Sequence, residues 1–284
     1  MTNTKQNNIK VNPGTKYQKN EDFFKNPENW TEKNAYFFGW LLSDGHHSIR
    51  NRCIKISIQE KDKKILEILK QIIDYTGPLY YEKRKSIGNL ILLASLPENC
   101  QNRWKLQVCS KEISNDLLKM GINNHKSDNL DFPNYIKPEL ICHFLRSFYE
   151  GDGTISYSFD RKNYKYRLIF EIHLLAHPKF CQTVKEILDK ELGTNLQIVE
   201  EIGVKNGIIR LKMGGNIAAL KFFNYIYKDA KYLLKRKFKK FLRLINYMKR
   251  RPNFGRGKNE NKEAQEETKK AIQLAKHLIE TAQY

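Results

Sequence analysis

Hydrophobic and polar positions alternate strictly over residues 53–59, where Ile54, Ile56 and Ile58 are interleaved with Lys55, Ser57 and Gln59. A period of two predicts a strand with one buried and one polar face. The period then lengthens. Ile65, Leu66, Leu69, Ile72 and Ile73 form one stripe of a helix that starts at Asp62 and stops near Gly77. Two more strands are expected next. The later one sets Trp104, Leu106 and Val108 against Arg103, Lys105 and Gln107, and Ser110 then caps a short helix ending at Gly121.

The second half repeats the order. Tyr164, Tyr166, Leu168 and Phe170 alternate with Lys165, Arg167, Ile169 and Glu171, and Pro178 opens a helix that runs to Gly193. Strands follow near residues 196–200 and 207–213, the latter with Ile209 and Leu211 set against Arg210 and Lys212. Helical patterns cover 216–227 and 232–249. Each half thus reads helix, two strands, helix, two strands, helix. The expected division is a flexible basic arm over 1–30, a first repeat over 31–130 capped at its start by Thr31, and a second repeat over 131–250. A loop and an amphipathic helix fill 251–284, with Ala264, Ala271, Leu274, Ala275, Leu278 and Ile279 as apolar members expected to pack on the body.

Each repeat opens on a related apolar stretch. Phe37 to Gly45 reads F-F-G-W-L-L-S-D-G, and Leu145 to Gly153 reads L-R-S-F-Y-E-G-D-G. Asp44 and Asp152 hold the same place, 108 positions apart (152 − 44). The same offset maps Gly39 and Ser43 onto Ser147 and Gly151. Positions four apart share a helix face, and a face of small residues lets two helix backbones approach closely. Packing the stretches together brings the two aspartates side by side. Adjacent carboxylates repel unless a positive charge lies between them. A hard divalent cation fits, since Mg²⁺ is commonly held by one or two carboxylates plus substrate phosphates and promotes phosphodiester displacement.

These two stretches resemble the paired motifs of LAGLIDADG homing endonucleases in the single-chain form, over roughly residues 34–247. Ser43 stands where an acidic or small residue is usual, and Phe37, Phe38 and Trp40 replace smaller ones. The resemblance implies an α+β fold of two pseudo-symmetric αββαββα repeats, forming a saddle of antiparallel sheets around two packed motif helices. It implies a monomeric enzyme that uses Mg²⁺ (or Mn²⁺) to cut both strands of a long DNA site, serving intron or mobile-element homing. The implied metal set is Asp44 and Asp152, with Ser43 and Gly151 beside them. A lysine from each half is expected near the reaction centre, placed at Lys126 in I-N-N-H-K-S and Lys237 in L-K-R-K-F.

The charge supports a polyanionic partner. Lys+Arg 51 against Asp+Glu 31 gives a formal net charge of +20, spread along the chain. The polar strand faces carry Lys55, Ser57, Arg103, Lys105, Gln107, Lys165, Arg167, Arg210 and Lys212, and a two-stranded ribbon of such residues fits the major groove. Gln59, at the end of its strand, is a candidate for holding water or phosphate, or for reading a base. Its repeat counterpart is expected near His173–Leu174. His46 and His47 are expected in a turn after the first acid. Cys53, Cys100, Cys109, Cys142 and Cys181 show no paired spacing and read as free thiols of a reducing intracellular compartment. The polar first twenty residues do not read as a secretory signal. Rival readings on the same scaffold are an RNA maturase assisting its own group I intron and a DNA-binding regulator.

Overall fold

Two helices, α1 (Glu32–Ser43) and α4 (Ile141–Asp152), carry the paired motifs and lie against each other. In the computed structural model, which describes residues 17–83, 102–123, 130–162, 165–200, 207–251 and 258–284, their contact is made by the small residues. A Cβ added to Gly39 would lie 2.0 Å from Ser147 Oγ and 2.5 Å from the Phe144 carbonyl oxygen, and one added to Gly151 would lie 2.1 Å from Ser43 Oγ. Gly39 thus meets Ser147, and four residues later Ser43 meets Gly151. The pairing advances in one direction along both helices, so they are parallel and their C-terminal ends are adjacent. From Ala35 to Leu42 every residue of α1 is buried. A helix that is apolar all round belongs inside a core, and the bulky Phe37 and Phe38 fill it by edge contacts with Phe23, Phe24 and Trp30.

Each motif helix leads into an antiparallel sheet. In the first half β1 (Gly45–Ser48), β2 (Cys53–Gln59), β3 (Tyr80–Glu82) and β4 (Arg103–Cys109) take the order β1-β2-β4-β3, with α2 (Lys63–Ile72) and α3 (Lys111–Lys119) between and after the pairs. In the second half β5 (Thr154–Lys162), β6 (Lys165–Ala176), β7 (Gln197–Glu200) and β8 (Ile209–Gly214) take the matching order β5-β6-β8-β7, with α5 (Pro178–Leu192) and α6 (Asn216–Ile226). The alternation read from the sequence decides the faces: Ile54, Ile56, Leu106, Val108, Phe170, Ile172, Leu174 and Leu211 are all buried. Two helices follow, α7 (Lys235–Lys249) and α8 (Lys258–Thr281). The inner stripe of α8, with Ala264, Thr268, Ala271, Ala275 and Leu278, is buried against the body, while Ile279 is exposed.

Three expectations need correction. The flexible arm does not extend over residues 17–30: Phe23, Phe24 and Trp30 are core residues, and the segment bonds to the end of α2 through Asn20 N to the Ile73 carbonyl oxygen (2.9 Å). Its aromatic content gives it the apolar surface that a disordered segment lacks. His46 and His47 form part of β1 instead of a turn. His47 is buried, its ring bridging the Ile122 carbonyl oxygen (2.9 Å) and Ser114 Oγ (2.8 Å), and burial lowers its pKa. Cys53 and Cys109 are joined in a disulfide instead of being free; they are register partners on β2 and β4 with Cα atoms 4.0 Å apart. Spacing along the chain, 56 residues, held no hint of this pairing because it depends on sheet register. Cys142 and Cys181 are free and buried, and Cys100 lies outside the described residues. No described helix is long and apolar enough to cross a membrane.

Replacing Gly39 with leucine is expected to force the motif helices apart and lower stability by about 1–3 kcal/mol or more. Urea unfolding of Gly39→Leu measures this, and an unchanged midpoint would contradict the close contact. Thiol alkylation of the unreduced, denatured chain followed by peptide mass mapping is expected to label Cys142 and Cys181 while sparing Cys53 and Cys109.

Candidate active site

The two aspartates sit where the parallel helices end. Asp44 is the C-terminal cap of α1, with its N–H donating to the Trp40 carbonyl oxygen (3.1 Å), and Asp152 is the last residue of α4. A Cβ on Gly151 would lie 2.6 Å from Asp44 Oδ2, so the first carboxylate rests against the backbone just before the second. Only glycine leaves that space open. A small cavity of about 130 Å³ opens here, lined by Asp44, Gly151, Trp40, Gln59, Arg103 and Arg236 together with Ser57, Ile58, Asp62 and Glu150. Gln59, expected from its strand position to serve this centre, is brought to it.

Lys237 also reaches the centre, by an indirect route. It is buried near the start of α7, and its Nζ donates to the Tyr149 carbonyl oxygen (2.6 Å), the Gly151 carbonyl oxygen (3.2 Å) and the Gly153 carbonyl oxygen. These are carbonyls at the C-terminal end of α4, where a cation is favoured by the helix dipole. Burial and then the Arg236 charge push its pKa down to about 7, while Glu150, Asp44 and Asp152 pull it up. Lys126, its expected counterpart, lies outside the described residues.

A polar network beneath the centre escaped the sequence reading. Glu150 is buried and accepts from Tyr36 Oη (2.7 Å), Tyr227 Oη (3.1 Å) and the Leu234 N–H (2.8 Å). Burial raises its pKa, with Arg146 opposing. Arg146, fully buried, donates to Glu32 Oε1 (2.8 Å), His143 Nδ1 (2.9 Å) and the Ile226 carbonyl oxygen (3.1 Å), and its guanidinium lies 5.0 Å from the Tyr36 ring centre. His143 accepts from Arg146 and so is neutral; burial, then the Arg146 charge, lower its pKa to about 3. Charged residues inside an apolar helix are usually read as its exposed edge, and here they face partners from distant segments.

The polar sheet faces form as expected from alternation. Across β2 and β4, Lys55 pairs with Gln107, Ser57 with Lys105 and Gln59 with Arg103, and directly opposed residues share a face. His46, opposite Lys55, joins them. In the second sheet Arg210 and Lys212 of β8 lie opposite Leu175 and His173, and Arg167 projects from the same face of β6. Lys165 begins β6. Some of these cations are already engaged: Lys105 pairs with Glu82, and Lys212 with Glu171 (2.8 Å). Leu175 and Val199 are exposed apolar members of the same face. The counterpart of Gln59 is His177, not the His173–Leu174 region. Gly45 lies opposite Ile56, and Gly153, one step before the Thr154–His173 pair, falls opposite Leu174. Three residues on, Gln59 (φ −61, ψ 147) and His177 (φ −59, ψ 144) share one backbone conformation before their helices. The sequence register was lost because β6 runs further than β2.

Two parallel motif helices between two sheets of matching topology are the single-chain, two-repeat LAGLIDADG homing endonuclease fold. Among solved structures the chain is similar to the I-LtrWI LAGLIDADG homing endonuclease bound to target DNA, with a TM-score of 0.51 and 14% identity over 88% of this chain and 97% of that one. It is also similar to I-SmaMI bound to uncleaved DNA target in the presence of calcium ions, with a TM-score of 0.49 and 12% identity over 88% of this chain and 99% of that one. No protein-family profile and no curated protein matches the chain. At such identities the likeness is one of fold.

A lysine whose folded pKa, about 7, lies below its unfolded value near 10.4 binds fewer protons folded than unfolded between those values. Its contribution to stability therefore rises with pH across that window. Urea unfolding of the wild type and Lys237→Met at pH 7 and pH 10 is expected to show the wild type gaining relative to the variant. A gap independent of pH would contradict the buried, depressed ammonium.

Proposed function

We propose that this protein is a site-specific endonuclease that cuts both strands of double-stranded DNA with the help of divalent metal ions. The observation carrying the reading is the Asp44 carboxylate lodged against Gly151 at the adjacent ends of two helices, flanked by two basic sheet faces. The fold adds a consistent frame. The +20 net charge supplies the phosphate attraction on which DNA affinity largely rests.

The donor set suits a hard cation. Among the described residues no group of three or more His, Cys, Asp or Glu side chains gathers as a metal site. Two carboxylates with backbone carbonyl, water and phosphate oxygens are the pattern favoured by Mg²⁺. Asp44 and Asp152 would hold the ion, and the space at Gly151 gives the first carboxylate its place. When bound, the ion activates water and offsets charge developing on the phosphate. Lys237 fixes the end of α4, and with it the position of Asp152. Gln59 and Arg103 face the same cavity and would orient water or phosphate. The sheet faces would read the major groove on either side. Lys55, Arg103, Arg167 and Arg210 suit guanine edges and phosphates, Gln107 suits adenine, and Leu175 and Val199 suit thymine methyl groups. Cutting within a long site fits an element that spreads by homing.

Purified protein with Mg²⁺ is expected to cut DNA carrying its insertion site, monitored on supercoiled plasmid. Asp152→Asn is expected to abolish cutting while gel-shift binding persists. Equal cleavage by that variant would remove the metal-site reading.

A further inference from the structure

Beside the candidate centre lies a second, strongly basic groove of about 490 Å³, between the start of α2 and the outer face of α7. Lys61 and Lys64 line it from one wall. From α7 come Lys235, Arg236, Lys239, Lys240 and Arg243. Asp62 is the acidic residue in the lining, and Arg236 donates to it from Nη2 to Oδ2 (3.0 Å) and from Nε to Oδ2 (3.2 Å) and Oδ1 (3.4 Å). Lys64 pairs with Glu67 (3.6 Å), and Lys235 Nζ lies 4.6 Å from the Tyr284 ring centre. Lys61, Lys239 and Arg243 are exposed and form no ion pair with a carboxylate among the described residues. Lys240 Nζ donates to the Ile155 carbonyl oxygen (3.1 Å), and its pKa is lowered by burial and then by Arg236, Arg243 and Lys61. Cations crowded in this way repel one another and weaken the folded state unless an anion joins them.

The shape of the charge selects the anion. Lys235, Lys239 and Arg243 recur every four residues, so they form one stripe with about 6 Å between successive members. A stripe suits a chain of phosphates better than a single ion. The groove and the Asp44 cavity share Asp62 and Arg236 in their linings, so the two adjoin each other. We infer that this groove holds the phosphodiester backbone of the DNA as it leaves the cutting centre, adding an affinity site that neither sheet face supplies. The inference rests on the endonuclease reading and extends it to the flank of the molecule.

The test uses the full chain without divalent metal and the triple variant Lys61→Glu, Lys239→Glu, Arg243→Glu. Binding to a labelled duplex of about 30 base pairs is followed by fluorescence anisotropy across a salt series, where each phosphate neutralised adds about 0.9 to the slope of log affinity against log salt. The variant is expected to lose at least about 2 from that slope and more than tenfold in low-salt affinity. A control with the same change of charge on the exposed face of α8, Lys262→Glu, Lys269→Glu, Lys276→Glu, is expected to lose clearly less. Where the glutamate variant fails to fold by circular dichroism, Lys61→Gln, Lys239→Gln, Arg243→Gln is used, with a smaller loss in the same direction. A groove variant with the wild-type slope, or no weaker than the α8 control, overturns the inference alone. So does a loss confined to a structured RNA probe with duplex binding intact. A wild type that does not bind the duplex overturns the endonuclease reading as well.

Discussion

The structure depends on how closely two helix backbones approach. Gly39 against Ser147 and Ser43 against Gly151 leave no room for larger side chains, and that closeness sets everything above it. It makes the helices parallel and puts their ends side by side, where Asp44 caps one helix and Asp152 ends the other. The same glycine, Gly151, serves the helix contact and the space beside Asp44. Packing and chemistry therefore meet in one residue, and neither can be altered without the other.

Around this contact the two halves are alike in topology and unlike in detail. Both sheets take the order outer, inner, inner, outer with the same connections. The second half is followed by α7 and α8, which pack on α6, touch the first half through the Arg236–Asp62 pair, and supply Lys237 to the helix ends and the basic stripe to the flank. Gln59 and His177 occupy matching backbone positions with different chemistry. A fold with internal symmetry can in this way hold two unequal surroundings at its two matching positions.

Much of this was legible in the sequence, because the dominant signals were periodic. Alternation at Ile54, Ile56 and Ile58, and at Leu168 and Phe170, fixed which faces are buried, and the offset of 108 between Asp44 and Asp152 exposed the repeat. What escaped depends on contacts between remote segments. The Cys53–Cys109 bond follows from strand register, the burial of Glu150 and Arg146 from partners on other helices, and the ordering of residues 17–30 from a pocket lined by α1. The shift of the Gln59 counterpart to His177 came from a strand of different length. Local pattern carries element type and facing well, and it carries little about which distant group will meet a buried charge.

The buried network has a bearing on protein engineering. Arg146 reaches across the helix pair to Glu32, and Glu150 reaches across it to Tyr36. Halves of such two-repeat proteins invite recombination, each kept as a unit and joined to a foreign mate. A chimera that retains this second half but replaces the first would take Glu32 from the buried Arg146 guanidinium, a loss of several kcal/mol, and would take Tyr36 from Glu150, leaving it the bonds from Tyr227 and Leu234. Glu32 and Tyr36 would therefore have to travel with the second half as grafts, although they belong to the first.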